Sequence, residues 1–315
     1  PAQNIVDKAG IFLKHFATVD KVPIVTHEQI AQDYIQLAKL RRLPETLTID
    51  NVITLRQTVS SIASATKGKA TGPDPLSNDL MATAPEAAAR HLHPLLAKYQ
   101  LACVESHLSK GGLAHPLPKG SDKDRSVRHS FRQIMLKNHV GKHHHAFMRS
   151  LLLSVVQNAF SSSQQGCLPR RGTDIASLNT SLLLQIDKCK LNLTCLFLFL
   201  DIEGAFYSVV RELLYPVQTG QLDLDELLEQ IGVPLLFQSA LEKVLAEPCI
   251  INNLLSDQHL VGNLSEAYRG TWYGMKNAEG AVGTKFGTAP GDPLADLSYN
   301  LSVLPLVQRL SLIHI

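Results

Sequence analysis

Phe197–Val209 reads FLFLDIEGAFYSV. The apolar run Leu196–Leu200 has the composition of a buried strand, and it delivers one carboxylate, Asp201, to its C-terminal end. Gly204, Ala205 and Phe206 follow, and then residues that can start a helix. A carboxylate at the mouth of a buried strand is placed to hold a metal ion against a phosphate. Taken alone, the stretch reads rather as a strand end followed by a helix cap. Its partners elsewhere in the chain decide between the two.

Gly287–Leu301 reads GTAPGDPLADLSYNL, a Gly/Pro turn followed by leucines at helical spacing (Leu294, Leu297, Leu301, Leu304). Gly291 lets the backbone approach a ligand or template closely. Asp292 is suited to cap the helix, and Pro293 to its first turn. Three further strings lie upstream. Lys69–Leu80 is KATGPDPLSNDL, a Gly-Pro-Asp-Pro loop beside a lysine. Lys119–Lys142 is rich in bases and contains Phe131-Arg132-Gln133-Ile134. Gln164–Thr173 is QQGCLPRRGT. Singly, each is also compatible with a surface turn.

In order and spacing, the five strings together resemble the reverse transcriptases of non-LTR retrotransposons. That family runs K-x-x-G-P-D, a K-G hairpin with Y-R-x-I-x-L, Q-x-G-x-x-x-x-R-G-T, F-x-D-x-x-x-A-F-D-x-V and G-x-x-x-G-D-P-L. The resemblance covers Lys67 to Leu304. It implies a right-hand polymerase fold of α+β class, with fingers and a partial palm, helix-rich with an antiparallel palm sheet. It also implies RNA-templated DNA synthesis by two-metal nucleotidyl transfer, with Mg²⁺ or Mn²⁺, an RNA template, a DNA primer and deoxynucleoside triphosphates. Carried over position by position, Asp201 is the catalytic metal ligand and Ile202 offers its backbone oxygen to the same ion. Phe206 matches the aromatic under the nucleotide sugar. Arg132 matches the fingers arginine that grips the triphosphate, and a guanidinium fork suits phosphate oxygens. Lys119 is a second phosphate contact, and Gly291 and Asp292 fall near template and nucleotide. Lys142 has no assigned role.

The departures are specific. Tyr207 stands where relatives have aspartate, Phe131 replaces a tyrosine, and Ala289-Pro290 stands where relatives carry Arg and Gln. Relatives also place a strand-turn-strand with x-x-D-D after the G-D-P-L helix, and no such pair occurs through Ile315. One carboxylate binds magnesium weakly, because magnesium gives up its waters only to several hard oxygens. The expectation is a fragment of a retrotransposon polyprotein, lacking a downstream polymerase segment and catalytically inefficient or inactive. A non-catalytic nucleic-acid-binding fragment and a decayed relic are the alternatives.

Composition allows this reading. The chain has 315 residues, 45% of them hydrophobic, enough for a sizeable core. Its net charge of +2 does not announce a nucleic-acid binder. Charge is uneven, however: Lys110–Arg149 holds nine Lys/Arg against two Asp, with seven histidines from His107 to His145. Such a stretch supplies phosphate affinity. The consecutive His143, His144 and His145 are expected to be solvated or to face nucleic acid, since adjacent helical side chains rarely converge on one ion. The five cysteines are dispersed without a C-x-x-C, which points to neither a zinc site nor a disulfide framework. There is no signal-peptide pattern and no apolar run of membrane-spanning length, so an intracellular chain is expected.

The expected layout is a helical segment over residues 1–66, fingers and part of the palm over 67–195, and partial palm over 196–315. Helices are predicted at Pro85–Ser109 (kinked at Pro94), Asn138–Val156 and Thr173–Lys188, with more between Asp223 and Ala246. Hairpins are predicted at Leu113–Met135 and Tyr268–Lys285. Asp223–Glu229 reads as a solvated helix face.

Overall fold

A computed structural model describes residues 5–41, 43–161, 164–186, 201–202, 204–217, 232 and 234–311. The predicted strand Leu196–Leu200, the acidic stretch Asp223–Glu229 and the last residues of the Thr173–Lys188 helix lie outside the described residues. The segment over residues 1–66, expected to be helical, contains helices α1 (Ile5–Val19), α2 (His27–Lys39) and α3 (Leu55–Ala63). Thr26 caps α2 by accepting from the Gln29 amide at 3.2 Å, and Thr54 forms a capping box with Gln57 on α3. Short α4 (Asn78–Met81) precedes α5 (Pro85–Ala102).

Helix α5 contains Pro94 but stops before the predicted Ser109. Cys103 turns left-handed at φ 45°, and the Val104 amide bonds back to the Tyr99 carbonyl at 2.9 Å, closing the helix end. A short turn of helix, α6 (His107–Lys110), then leads straight into β1 (Gly111–Pro118). Strand β2 (Phe131–Lys137) returns antiparallel, paired from Gly112↔Lys137 to Pro118↔Phe131. This is the predicted first hairpin. Asn138 caps α7 (His139–Val156) by accepting from the Gly141 amide at 2.8 Å.

Helices α8 (Thr173–Ile186), α9 (Arg211–Leu214), α10 (Leu235–Ala246), α11 (Ile250–Leu254) and α12 (Gln258–Tyr268) follow. The second predicted hairpin is β3 (Trp272–Gly274) with β4 (Ala281–Gly283), and α13 (Ala295–Ser311) closes the described chain. The four strands form one sheet in the order β2-β1-β3-β4. It is mixed rather than antiparallel, because β1 and β3 run parallel from Gly111↔Trp272 to Leu113↔Gly274. The α+β class holds, and this sheet joins the hairpins on either side of the expected fingers–palm boundary.

Two main cores flank the sheet. Leu13 and Phe16 of α1 pack on Ala114, Met135, Tyr273 and Val282. The larger core joins Met148, Leu152 and Val156 of α7 to Leu260 and Leu264 of α12, to Leu294 just before α13, and to Leu297, Leu301 and Leu304 of α13. The leucine period read from the sequence is therefore the buried face of α13.

One position fixes how the G-D-P-L turn meets the sheet. Gly291 sits at φ +106°, and a Cβ there would lie 2.4 Å from the Met135 carbonyl oxygen. Its freedom serves a close approach to β2, where the Met135 amide donates to the Pro290 carbonyl at 2.7 Å. Gly291→Ala is expected to destabilise the chain by about 2–4 kcal/mol, from overpacking and positive φ together. Gly10→Ala, in a helix with no atom within 4 Å of the new methyl, is expected to be neutral or to stabilise by up to about 1 kcal/mol. Urea midpoints measure both. An unchanged midpoint in Gly291→Ala would contradict this account of the turn.

Candidate functional site

The five strings converge in space. Gly72 of the Gly-Pro-Asp loop is seated on the β2–α7 junction, where a Cβ would come 2.4 Å from the Asn138 nitrogen. Phe206–Val209 is laced to the G-D-P-L turn: the Thr288 amide donates to the Phe206 carbonyl at 2.8 Å, and the Gly287 amide to the Val209 carbonyl at 2.9 Å. Tyr207 donates its hydroxyl to the Gln133 carbonyl of β2 at 2.5 Å. Arg149 joins the last string, donating to the Cys167 carbonyl at 2.8 Å while pairing with Asp296 on α13. Arg171 folds that string on itself through the Ser161 and Gln164 carbonyls at 2.9 and 2.7 Å. Phe206–Val209 and β2 thus meet the turn at residues 287–292 directly, while the Gly-Pro-Asp loop and the Cys167 string pack on β2–α7 and α13 beside it.

Arg211 is the buried hub beneath it. Its guanidinium donates to the carbonyls of Gly287, Tyr268, Thr284 and Phe286 and to the Thr284 hydroxyl, at 2.7 to 3.0 Å. Only arginine offers that many donors in a fixed plane. The sequence reading missed this residue, although an arginine soon after an apolar run is a signal for a buried fork.

Asp201 is exposed, and Ile202 beside it is 44% exposed. Phe206 is half-buried, its ring centroid 5.3 Å from that of Tyr299 on α13. Burial, and then the nearby charge of Asp201, raise the Tyr299 hydroxyl above its ordinary value. Asp201, Phe206 and Tyr299 therefore share one surface. Arg132 is exposed on β2, close enough that its charge acts on the Tyr207 hydroxyl. Lys119 is exposed at the far end of the hairpin, its amide bonded to the Ser130 carbonyl at 2.8 Å.

Asp292 lies elsewhere. Its carboxylate is turned inward, 2.6 Å from Lys137 Nζ and 2.6 Å from His145 Nδ1. It also accepts the Leu294 amide at 2.8 Å, holding the turn before α13, which starts at Ala295 rather than at Pro293. His145 Nε2 reaches Glu105 Oε2 at 3.0 Å. A second buried set lies alongside: Lys110 Nζ is 2.6 Å from Glu266 Oε1, and Arg269 is 3.2 Å from Glu266 Oε2.

These contacts correct two expectations. The three histidines are buried rather than solvated. His143 bonds Ser61 and Asn78, His144 bonds Gln100, and His145 lies between two carboxylates. The basic stretch is also divided, since Lys110 and Lys137 are buried and paired whereas Lys119, Arg128 and Arg132 are exposed. The carboxylates that draw the buried cations inward lie on distant segments, so a local reading of charge cannot find them.

Among the described residues, no group of three or more His, Cys, Asp or Glu side chains could hold a metal ion. Asp201 and the Ile202 carbonyl alone are too few hard oxygens for a firm magnesium site. No helix among the described residues is long and apolar enough to cross a membrane. Neither a protein-family model nor a curated protein matches this chain.

The ionic chain sets a pH dependence. Burial opposes the charged form of His145, but Asp292 and Glu105 outweigh it and raise its proton affinity above the ordinary 6.5. Burial would raise Glu105, yet His145 brings it down to about 2, and Asp292 is held far below the carboxylate range. The carboxylate contributions are complete above pH 4.5 and fade as pH falls through the folded values. The His145 contribution is complete below pH 6.5 and fades as pH rises through its folded value. The melting temperature is expected to decline from pH 6.5 towards pH 9. His145→Gln should abolish that decline while costing about 3–5 kcal/mol at pH 6, because it leaves buried carboxylates unpaired. A wild-type melting temperature that is flat over this interval would overturn the assignment.

Proposed function

We propose that this chain is the fingers and part of the palm of a reverse-transcriptase-like nucleotidyltransferase. In the intact enzyme it would hold an RNA template and a DNA primer for deoxynucleotide addition. The observation that carries the reading is that β2 and Phe206–Val209 are bonded to the turn at residues 287–292, the Gly-Pro-Asp loop is seated at the end of β2 and the Cys167 string is tied through Arg149 to α13, with exposed Asp201 beside half-buried Phe206 and Tyr299. Exposed Arg132 and Lys119, on the adjoining hairpin, supply cations for phosphate oxygens.

The roles follow from placement. Asp201, with the Ile202 carbonyl, would offer oxygens to Mg²⁺ or Mn²⁺, which in such chemistry activates the primer hydroxyl and neutralises the triphosphate. Phe206, braced by Tyr299, presents a ring edge to a sugar and excludes bulk at its 2′ position. Gly291 and Asp292 hold the turn behind this surface, so their part is to position it. With Asp201 the single carboxylate assigned to the metal, the chain taken alone is expected to bind template–primer better than it extends it.

Primer extension on an RNA template with Mg²⁺ or Mn²⁺, run beside template–primer binding, tests the reading. Binding should weaken steeply with salt, and Arg132→Ala should lower the slope of log K against log salt by about 0.7–0.9, the loss of one phosphate contact. Any extension should vanish in Asp201→Asn with binding retained. Extension unaffected by Asp201→Asn, or no salt-dependent binding, would overturn the proposal. The second result would favour a decayed relic.

A further inference from the structure

The least expected cluster outside the Asp201 surface lies where α1 crosses the tip of the first hairpin. Phe12 of α1 meets Phe131 of β2 edge-on, centroids 4.9 Å apart. That contact fixes the register of α1 and carries His15, one turn on, against His129, with centroids 5.2 Å apart and an interplanar angle of 82°. Arg128 and Lys119 complete the group, and all but half-buried His15 are exposed. Lys14, exposed, precedes His15 on α1.

The nearby carboxylates are occupied elsewhere. Asp124 accepts the Ser126 amide and hydroxyl, both at 2.8 Å; Asp122 is 3.8 Å from Lys123; and Asp20 accepts the Tyr273 hydroxyl at 2.6 Å. Burial, then the charges of His129, Arg128 and Lys119, lower the proton affinity of His15 below the ordinary 6.5. The charges named as acting on it, from His129, Arg128 and Lys119, are all positive among the described residues.

We propose that His15, His129, Arg128 and Lys119 form a docking surface for the phosphodiester backbone of a nucleic-acid strand, one whose grip strengthens as pH falls. The inference rests on the nucleic-acid reading above and adds to it a second contact region, built by α1 rather than by the motif strings alone. Four groups of one sign held together create a potential that phosphate oxygens complement. A bound phosphate offsets the positive charges that, after burial, lower the proton affinity of His15. Strand binding and proton uptake are therefore linked, and each favours the other. A single edge-to-face histidine pair flanked by Arg and Lys has no use in the core, because its members are mostly exposed.

Fluorescence anisotropy with a 20-nucleotide single-stranded RNA, and with DNA of the same sequence, tests this at pH 5.5 and pH 8.0. The wild-type chain should bind on the order of tenfold more tightly at pH 5.5, with a salt slope steeper by about 1.4, two added phosphate contacts. The His15→Gln/His129→Gln double variant should match wild type at pH 8.0 and lose the gain at pH 5.5. Arg128→Gln, with both histidines intact, should weaken binding at both pH values. Equal behaviour of the two strands assigns the surface to phosphodiester in general, and a gain confined to one assigns it to that strand. Binding that is insensitive to pH, or a gain that survives in the double variant, overturns the inference and leaves the reverse-transcriptase reading standing. Absence of binding to both strands at both pH values overturns the two together.

Discussion

The buried chain of charges Lys137–Asp292–His145–Glu105 is the interaction on which the arrangement of this molecule depends. It ties four places that sequence separates: the end of β2, the turn before α13, the body of α7 and the link between α5 and α6. A buried ion pair adds little net stability against a well-packed apolar substitute, because removing two charges from water nearly cancels their attraction. Breaking one is another matter, since the partner is then stranded. The chain therefore acts as a selector of geometry: only the packing that brings all four groups together avoids a large penalty. Lys110, Glu266 and Arg269 repeat the device one layer away, and Glu266 Oε1 also accepts the Glu105 amide at 3.5 Å.

This constraint explains how a small exposed surface is positioned. Asp292, pinned from within, holds the turn at residues 287–292 against β2. That turn in turn holds Phe206–Val209 through two backbone bonds, and Arg211 stiffens it from below. Phe206 and the exposed Asp201 next to it are thus carried by a frame whose own polar groups point inward. Asp292, expected with Gly291 near template and nucleotide, has its carboxylate turned inward to Lys137 and His145 and so serves the frame.

What the sequence made legible was local. Both hairpins and the helices α2, α7 and α13 follow from apolar period and turn residues, all decided within a few neighbours, although α13 starts at Ala295, past the Asp292 expected to cap it. What it hid was non-local. The parallel pairing of β1 with β3 joins segments more than 150 residues apart, and no local pattern encodes it. The end of α5 at Cys103 depends on a left-handed residue that is not glycine or asparagine. The three histidines read as polar because the groups that make burial tolerable, Glu105 and Asp292, lie 40 and 147 residues away from His145. Within the candidate site, the strings themselves were visible. Their division into exposed surface and buried frame was not, because a lysine or aspartate looks the same in either role.

The positions that depart from the reverse-transcriptase pattern this sequence resembles each find a local use in this frame. Tyr207, in place of an aspartate, spends its hydroxyl on the Gln133 carbonyl and so braces Phe206 against β2. Pro290 lacks an amide but still offers its carbonyl to Met135, the one backbone bond the turn needs there. Phe131, in place of a tyrosine, meets Phe12 without a hydroxyl to satisfy. Each change substitutes one way of holding the same geometry for another. In a chain accumulating random substitutions, the buried ionic set would be the most vulnerable part, because loss of any member strands a charge at a cost of about 3–5 kcal/mol. Here every member retains its partner. The physical weight therefore falls towards a chain that can fold and present its surface. Chemistry at that surface depends on whether further hard oxygens join Asp201, which is a question of ligands rather than of frame.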